Sequence, residues 1–413
     1  MIPPSGLQQR KPDPANGSCF PLPVPALTRS RTLPSAATVS GSSYVSFHET
    51  AKDDYNKQKK KEITVLKMEI TKSELRRILF ALSRMMSVSG SEDAAEPALS
   101  DLVGAHFDSC TREPNGGYLF SLPSRKPDAP TLLIDTHFDE VGFLVTEILD
   151  GGLLRVAAVG GIDTRLLPAA KILVYGEETI PAYFASTPPH LRKPDEGNAA
   201  PKLETLLLDT GMKTDTLQTL VRVGTPCGFA SAPCDLLFDA VAGHGFDNKA
   251  CCAAAIVALA SCDREKLAYH VVLHLAGREE VGEVGARTGA FAVKPDLAVV
   301  LDAEFAWMPG MREDRTVFRG AGPSLTHSPV CDRRLTARLA GLCKKHGLPC
   351  QHIAYPNRTG TDCDVLNITA SGVPCALIGI PLTGMHTAEE IVSLTDLETT
   401  ARLLRALLEE EAE

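Results

Sequence analysis

Histidines and carboxylates recur in this sequence directly after runs of apolar residues. Two imidazoles and several carboxylates, without favourably spaced thiolates, form a nitrogen and oxygen donor set that suits Zn²⁺, Co²⁺ or Mn²⁺. If these positions converge in the fold, they can hold divalent cations. The residues are His137 and Asp139 after "TLLIDT", Glu279 and Glu280 after "VVLHLAGR", Asp302 after "LAVVL", His386 after "ALIGIPLTGM", and Asp247 in "GHGFDNKA".

The adjacent carboxylates Glu279 and Glu280 indicate most directly that a cation is needed. Two neighbouring anions repel each other and are costly to bury unless positive charge lies nearby. Taken singly, each candidate has an ordinary structural explanation: Asp247 suits a helix N-cap, and the Glu pair suits a solvated turn. The repetition of the pattern at five places favours a metal site, and two ions would need a carboxylate that bridges them.

The elements that must position these residues are buried strands and the helices between them. Continuously apolar runs are typical of strands covered on both faces, and the intervening stretches have helical patterns. The pattern predicts an α/β fold with a mainly parallel sheet sandwiched by helices, whose strand ends share one edge. The predicted strands are "TLLIDTHFD", "YHVVLHLAG", "LAVVLDAE" and "PCALIGIPL", and the predicted helices include "DNKACCAAAIVALASC", "DRRLTARLAGLCKKHG" and "DLETTARLLRALLEEE".

Composition divides the chain into three parts. Residues 1–67 are rich in Pro, Ser, Gly and charged residues, which predicts a disordered N-terminal extension, and Met68 is a candidate for the true start. Residues 146–233 have short strand-like pieces punctuated by Gly and Pro, which predicts a small inserted β domain. Residues 68–145 and 234–413 then form the α/β domain.

Charge and cysteine usage exclude several classes of partner. The 413 residues carry a net charge of −9, and Lys and Arg are interspersed with acidic residues rather than clustered in a basic stripe. This argues against binding to a nucleic acid or to an anionic membrane. The longest apolar run, "ACCAAAIVALASC", is too short to cross a bilayer. The 12 cysteines are scattered without CxxC spacing, which favours reduced thiols in a cytoplasmic protein. The acidic charge balance favours small molecules or peptides as partners.

From about Met68 to its end, the chain resembles the M42 metallo-aminopeptidases, the glutamyl or TET type, whose members also carry the name endoglucanase. The resemblance implies a zinc-peptidase-like fold, a PDZ-like inserted domain that takes part in assembly, and a homo-oligomer, often a tetrahedral dodecamer. It also implies short peptide substrates. The matching segments are "HFDEVGFLV", "STPPHLRKP", "LLLDTG", "FDNKA", "EEVGEVGAR", "VLDAE", "GTDCDVLN" and "IPLTGMHTAEEIVSLTDLE".

Residue by residue, the resemblance implies two divalent metal ions, Zn, Co or Mn, bridged by Asp247. It implies that His137 and Asp302 complete the coordination of one ion, and that Glu280 and His386 complete the coordination of the other.

The resemblance also gives roles to two further acids. Glu279 would be the general base that takes a proton from water and passes it to the leaving amine. Asp139, on the same side of its strand as His137, would orient that imidazole.

The sequence departs from the family pattern at three places, and two other functions stay open. Asp247-Asn248-Lys249 stands where many relatives have Asp-Asp-Arg, "PLTGMH" replaces a region with an Arg-Tyr pair, and the leader is not a family feature. The first alternative is a non-catalytic peptide-binding scaffold of the same fold. The second is a glycoside hydrolase using Glu279 and Glu280, although adjacent residues are poorly arranged for carboxyl groups roughly 5 Å or more apart.

Overall fold

The computed structural model describes residues 68–185 and 200–410. The predicted extension 1–67 and the "STPPHLRKP" segment lie outside the described residues.

The described part of the chain contains seventeen strands and eight α-helices. The strands are β1 Ser109–Arg112, β2 Tyr118–Leu122, β3 Thr131–His137, β4 Gly142–Leu149, β5 Leu153–Val159, β6 Lys171–Tyr175, β7 Thr179–Ala185, β8 Leu207–Asp209, β9 Pro226–Phe229, β10 Cys234–Asp235, β11 Ala240–Gly243, β12 His270–Ala276, β13 Leu297–Phe305, β14 Ser324–His327, β15 Gln351–Ala354, β16 Cys375–Thr383 and β17 Glu390–Ser393. The helices are α1 Lys72–Ser83, α2 Glu96–Val103, α3 Thr214–Leu220, α4 Phe246–Ala260, α5 Val284–Val293, α6 Arg333–His346, α7 Cys363–Leu366 and α8 Leu394–Glu409.

Eleven strands form one large sheet, in the order β1-β2-β12-β3-β13-β16-β17-β11-β10, with β14 and β15 attached beside β16. The four central strands β12, β3, β13 and β16 are parallel, as the apolar runs predict. The flanking pairs β1–β2, β2–β12 and β16–β17 are antiparallel, as are β17–β11 and β11–β10. The prediction of a mainly parallel sheet is therefore corrected to a mixed sheet. Connections such as the one between β16 and β17 are too short for a parallel crossover.

The central strands are buried on both faces because helices cover both sides of the sheet. Leu132 and Ile134 of β3 pack into the larger core with α1, α4 and α8, whereas Leu133 packs into a smaller core with α5 and α7. Alternate residues of a strand point to opposite faces, so a strand between two helical layers must be apolar throughout. This explains why these strands read as unbroken apolar runs.

The segment between β3 and β10 forms a closed barrel of six strands, β4-β5-β8-β7-β6-β9, with its own apolar core. Phe143 is fully buried in this core and makes edge-on ring contacts with Phe184 and Phe229. The barrel strands run from Gly142 to Phe229. The predicted domain boundaries at 146 and 233, and the PDZ-like character, stay predictions.

A buried histidine links the parallel centre of the large sheet to its antiparallel flank. His274 of β12 is fully buried, with Nδ1 2.6 Å from Asp135 Oδ1 of β3 and Nε2 2.6 Å from Glu113 Oε2. Burial alone lowers the pKa of His274, but the hydrogen bonds to both carboxylates outweigh it and raise the pKa to about 9.

This raised pKa predicts that stability depends on pH. An unfolded histidine titrates near pH 6.5, so the contribution of His274 is complete below about that pH and is lost as the pH rises through about 9. The difference in unfolding free energy between wild type and His274→Gln should shrink by about 3 kcal/mol between about pH 6 and pH 10. Urea unfolding in the presence of a chelator measures it, and a difference that does not change with pH would contradict the assignment.

Within the described ranges, every helix is too short or too polar to cross a bilayer.

Candidate active site

The histidines and carboxylates singled out in the sequence come together at one edge of the large sheet. The carboxyl ends of parallel strands meet at one edge, and this brings residues from distant parts of the sequence into one cluster. His137 ends β3 and Asp302 lies near the end of β13. Glu279 and Glu280 follow β12, Asp247 lies in the first turn of α4, and His386 follows β16.

Asp247 occupies the centre of this cluster, between the two imidazoles. Its Oδ1 lies 3.3 Å from His137 Nε2, and its Oδ2 lies 3.4 Å from His386 Nε2. His137 Nε2 is also 3.5 Å from Asp302 Oδ1, and His386 Nε2 is 3.1 Å from Glu280 Oε1. The carboxylate therefore offers one oxygen to each of two histidine–carboxylate pairs. The N-cap position of α4 is Gly245, two residues before Asp247, so the structure does not place Asp247 at the helix cap.

The spacing of these donor atoms fits metal coordination. Ligands about 2.0–2.2 Å from a tetrahedral ion are separated by roughly 3.3–3.6 Å. Three of the four separations, between 3.3 and 3.5 Å, fall in this range and exceed an ordinary N–H···O hydrogen bond. Ligand atoms of His137, Asp247 and Glu280 lie within 4.8 Å of one another. The residues therefore fit a divalent cation by donor type and by spacing.

The electrostatics of the cluster also call for positive charge. Burial, with Asp302 and Glu280 nearby, raises the pKa of Glu279 to about 9. Burial likewise raises the pKa of Glu280 and of Asp302. For His386, burial lowers the pKa, but Asp247 and Glu280 outweigh it and raise the pKa to about 11. Bound cations would neutralise these carboxylates and favour their charged forms.

Asp139 is completely buried beside the cluster and contacts the backbone that carries the glutamates. Its Oδ1 accepts the N–H of Glu279 at 3.0 Å, and its Oδ2 accepts the N–H of Glu280 at 3.2 Å. Ser89 Oγ donates to Oδ2 at 2.5 Å. His137 Nδ1 lies 3.1 Å from the backbone oxygen of Asp139 but 3.7 Å from its carboxylate. The side chain thus fixes the turn of Glu279 and Glu280 directly, and the imidazole contacts its main chain.

A cavity of about 430 Å³ opens onto the cluster. Its walls contain the candidate donors and Glu279, together with glycines and apolar side chains that leave room for a bound molecule. The lining residues are His137, Gly161, Asp247, Glu279, Glu280, Gly282, Glu283, Asp302, Ala303, Glu304, Phe305, Tyr355, Thr359, Gly360, Thr361, Leu377, Gly379, Met385 and His386.

Sequence reasoning missed Glu390, a buried residue that holds two of the candidate donors in position. Its Oε2 accepts the N–H of Asp247 at 3.0 Å, and its Oε1 accepts the N–H of His386 at 2.8 Å. Its one signal in the sequence was the acidic pair in "HTAEEIVS", beside a candidate histidine.

The residues that depart from the family pattern after Asp247 are also buried. Lys249 Nζ lies 2.8 Å from Glu140 Oε2, and both side chains are enclosed. Asn248 Nδ2 donates to the backbone oxygen of Leu301 at 2.9 Å. Both therefore bind protein groups and leave the donor set intact.

Comparison with known proteins identifies one family over most of the chain. A model of the M42 glutamyl aminopeptidase family matches residues 116–403. The chain is 30% identical to a lysyl aminopeptidase of Pyrococcus furiosus over 290 residues, covering 69% of this chain and 83% of the relative.

Solved structures are similar in fold. An aminopeptidase from the archaeon Desulfurococcus kamchatkensis has a TM-score of 0.77 at 24% identity, covering 83% of this chain and 96% of that chain. The TET1 peptidase of Pyrococcus horikoshii, described as assembling into a tetrahedron or a large octahedral shell, has a TM-score of 0.72 at 25% identity, covering 81% of this chain and 99% of that one. The chain therefore belongs to the M42 family of glutamyl aminopeptidases and is a peptide hydrolase.

Proposed function

We propose that this protein is a two-metal aminopeptidase that releases N-terminal residues from short peptides. The observation that carries the proposal is the position of Asp247, whose two carboxylate oxygens face different histidines. A carboxylate that offers one oxygen to each side is suited to bridge two ions. His137 and Asp302 would hold one ion, and Glu280 and His386 would hold the other.

Such ions, when bound, supply a water of lowered pKa and polarise the scissile carbonyl. Glu279 is proposed to accept the proton of the attacking water on its carboxylate and to deliver it to the nitrogen of the leaving amine. Its backbone N–H is fixed by Asp139, which limits the directions that the carboxylate can take. Glu279 also lines the cavity, so its carboxylate has access to a substrate.

Asp139 is proposed as a positioning residue. One carboxylate holds both N–H groups of the Glu279–Glu280 pair, so the base and a metal donor are aligned by the same side chain. Support for His137 would come from the main-chain oxygen of Asp139.

The two alternative functions have less support from the site. All five candidate donors line the same cavity, which does not favour a non-catalytic scaffold. Glu280 Oε1 lies 3.1 Å from His386 Nε2, so this carboxylate is engaged in the cluster and is not free to act on a glycosidic bond.

Assembly is proposed from relatives, and location from composition. The P. horikoshii TET1 peptidase is described as assembling into a tetrahedron or a large octahedral shell, and another TET1 structure is described as a dodecamer. We therefore propose that this chain forms a homo-oligomer, a dodecamer, and that the barrel, proposed to be PDZ-like, takes part in assembly. A cytoplasmic location is proposed from the composition of the chain.

The experiment that tests the proposal combines metal analysis with a substrate panel. Protein reconstituted with Zn²⁺, Co²⁺ or Mn²⁺ should bind about two ions per chain and release p-nitroaniline from aminoacyl-p-nitroanilides. N-acetylated forms of the same anilides should not react, because an aminopeptidase needs a free α-amine. Equal cleavage of acetylated and free substrates, or metal-free protein with full activity, would refute the proposal.

A further inference from the structure

The cavity carries negative charge that the proposed chemistry does not use. Six carboxylates line the cavity, whereas none of its described lining residues is Lys or Arg. Four of the six are proposed metal donors or the base. The carboxylates are Asp247, Glu279, Glu280, Glu283, Asp302 and Glu304.

Of the two remaining carboxylates, Glu283 has a cationic partner and Glu304 does not. Arg358 Nη2 lies 3.0 Å from both oxygens of Glu283. Glu304 is 5% exposed, and its Oε1 accepts the hydroxyl of Tyr355 at 2.6 Å and the N–H of Phe305 at 3.0 Å. Among the described residues, no group donates a hydrogen bond to Oε2 of Glu304, and no Lys or Arg forms an ion pair with it.

A buried carboxylate is costly to ionise without a cation, so a cationic group that binds beside Glu304 would stabilise its charged form. We propose that Glu304 binds the cationic side chain of an N-terminal Lys or Arg of the substrate. The inference deepens the proposed function and rests on it, since it names the substrate class of the same cavity.

The position of Glu304 on its strand favours the side chain of the substrate over its α-amine. Glu304 lies two residues beyond Asp302 on β13, on the same face of the strand and about 6.6 Å farther along it. An α-amine is two bonds from the scissile carbonyl carbon and must stay beside the metal donors. The ammonium group of lysine ends a flexible four-carbon stem and can reach farther.

The surroundings of Glu304 suit such a stem. Phe305, Leu377 and Met385 line the same cavity and offer apolar surface to methylene groups. Gly379 lies against Glu304, and a Cβ at this glycine would come within 2.8 Å of Glu304 Cβ. The glycine thus leaves space for the carboxylate. The same carboxylate would repel an N-terminal Glu or Asp, so the specificity should oppose acidic substrates.

The test compares lysyl- with norleucyl-p-nitroanilide on the metal-loaded protein, because norleucine keeps the linear stem and lacks the ammonium group. We expect kcat/KM to favour the lysyl substrate about tenfold or more and glutamyl-p-nitroanilide to be the poorest of the three. Glu304→Gln keeps an acceptor for Tyr355 and should remove the preference for lysine over norleucine. Glu283→Gln, a carboxylate of the same cavity that Arg358 already neutralises, should keep it.

Several outcomes would overturn the inference. If wild-type protein cleaves the norleucyl and lysyl substrates equally well, the proposed specificity is refuted, whereas the proposed aminopeptidase function is not. An equal loss on all substrates in Glu304→Gln would assign the carboxylate to the α-amine or to structure. Calorimetric binding of free lysine and free norleucine decides the role of Glu304 without turnover, so a protein inactive on the whole panel would refute only the proposed function. Equal affinities for the two amino acids would refute the inference.

Discussion

Glu279→Gln is expected to lower kcat by about 10²- to 10⁴-fold while the protein retains its metal ions. Gln keeps the size and hydrogen-bonding capacity of the side chain but cannot accept a proton. Its backbone N–H would still bind Asp139, so the neighbouring donor Glu280 should stay in place. Steady-state kinetics on an aminoacyl-p-nitroanilide and metal analysis of the same sample measure the two effects separately.

The matched control for this variant is Glu283→Gln. Glu283 lines the same cavity, but Arg358 neutralises it, and it has no proposed part in the reaction. It should retain nearly all the activity. Glu279→Gln protein with wild-type turnover would rule out Glu279 as the base. Loss of metal from Glu279→Gln would instead indicate that Glu279 is a ligand.

Asp247→Asn is expected to abolish turnover by removing metal. An amide has a single good oxygen donor and no negative charge. It therefore could not bind both the ion beside His137 and the ion beside His386, as the carboxylate is proposed to do. Metal content should fall from about two ions per chain to about one or fewer. Inductively coupled plasma mass spectrometry after gel filtration measures it.

Folding of the Asp247→Asn variant must be checked independently of metal. Far-UV circular dichroism and the elution volume should match those of chelator-treated wild type, since both lack the ions. Glu283→Gln should retain the full metal content under the same conditions. An Asp247→Asn variant with two ions per chain and normal kcat would disprove the bridging role.

The central strands and the donor set could be predicted from residue types alone. A strand covered on both faces must be apolar throughout, so "TLLIDTH" and "LAVVLD" indicated β3 and β13 directly. His137 and Asp302 end such runs, and the common edge of a parallel sheet predicts that they meet. Their separation of 3.5 Å agrees with this expectation.

The antiparallel flanks and the contacts of Asp139 could not be predicted in this way. Short flanking strands such as β10 and β17 have too few residues to show a period. Asp139 was expected to orient His137, but its carboxylate binds two backbone N–H groups from a turn 140 residues later in the sequence. The type of a side chain does not indicate which distant backbone N–H group it will bind.

The sequence by itself determined the buried strands, the helices between them and which side chains offer nitrogen and oxygen donors, because burial and ligand chemistry depend on residue type. Only the tertiary structure decided which carboxylates have partners. Glu283 and Glu304 are identical side chains in the same cavity, yet one contacts Arg358 and the other contacts Tyr355. Charge neutralisation depends on distances across the fold, and these are set by packing of segments far apart in the chain.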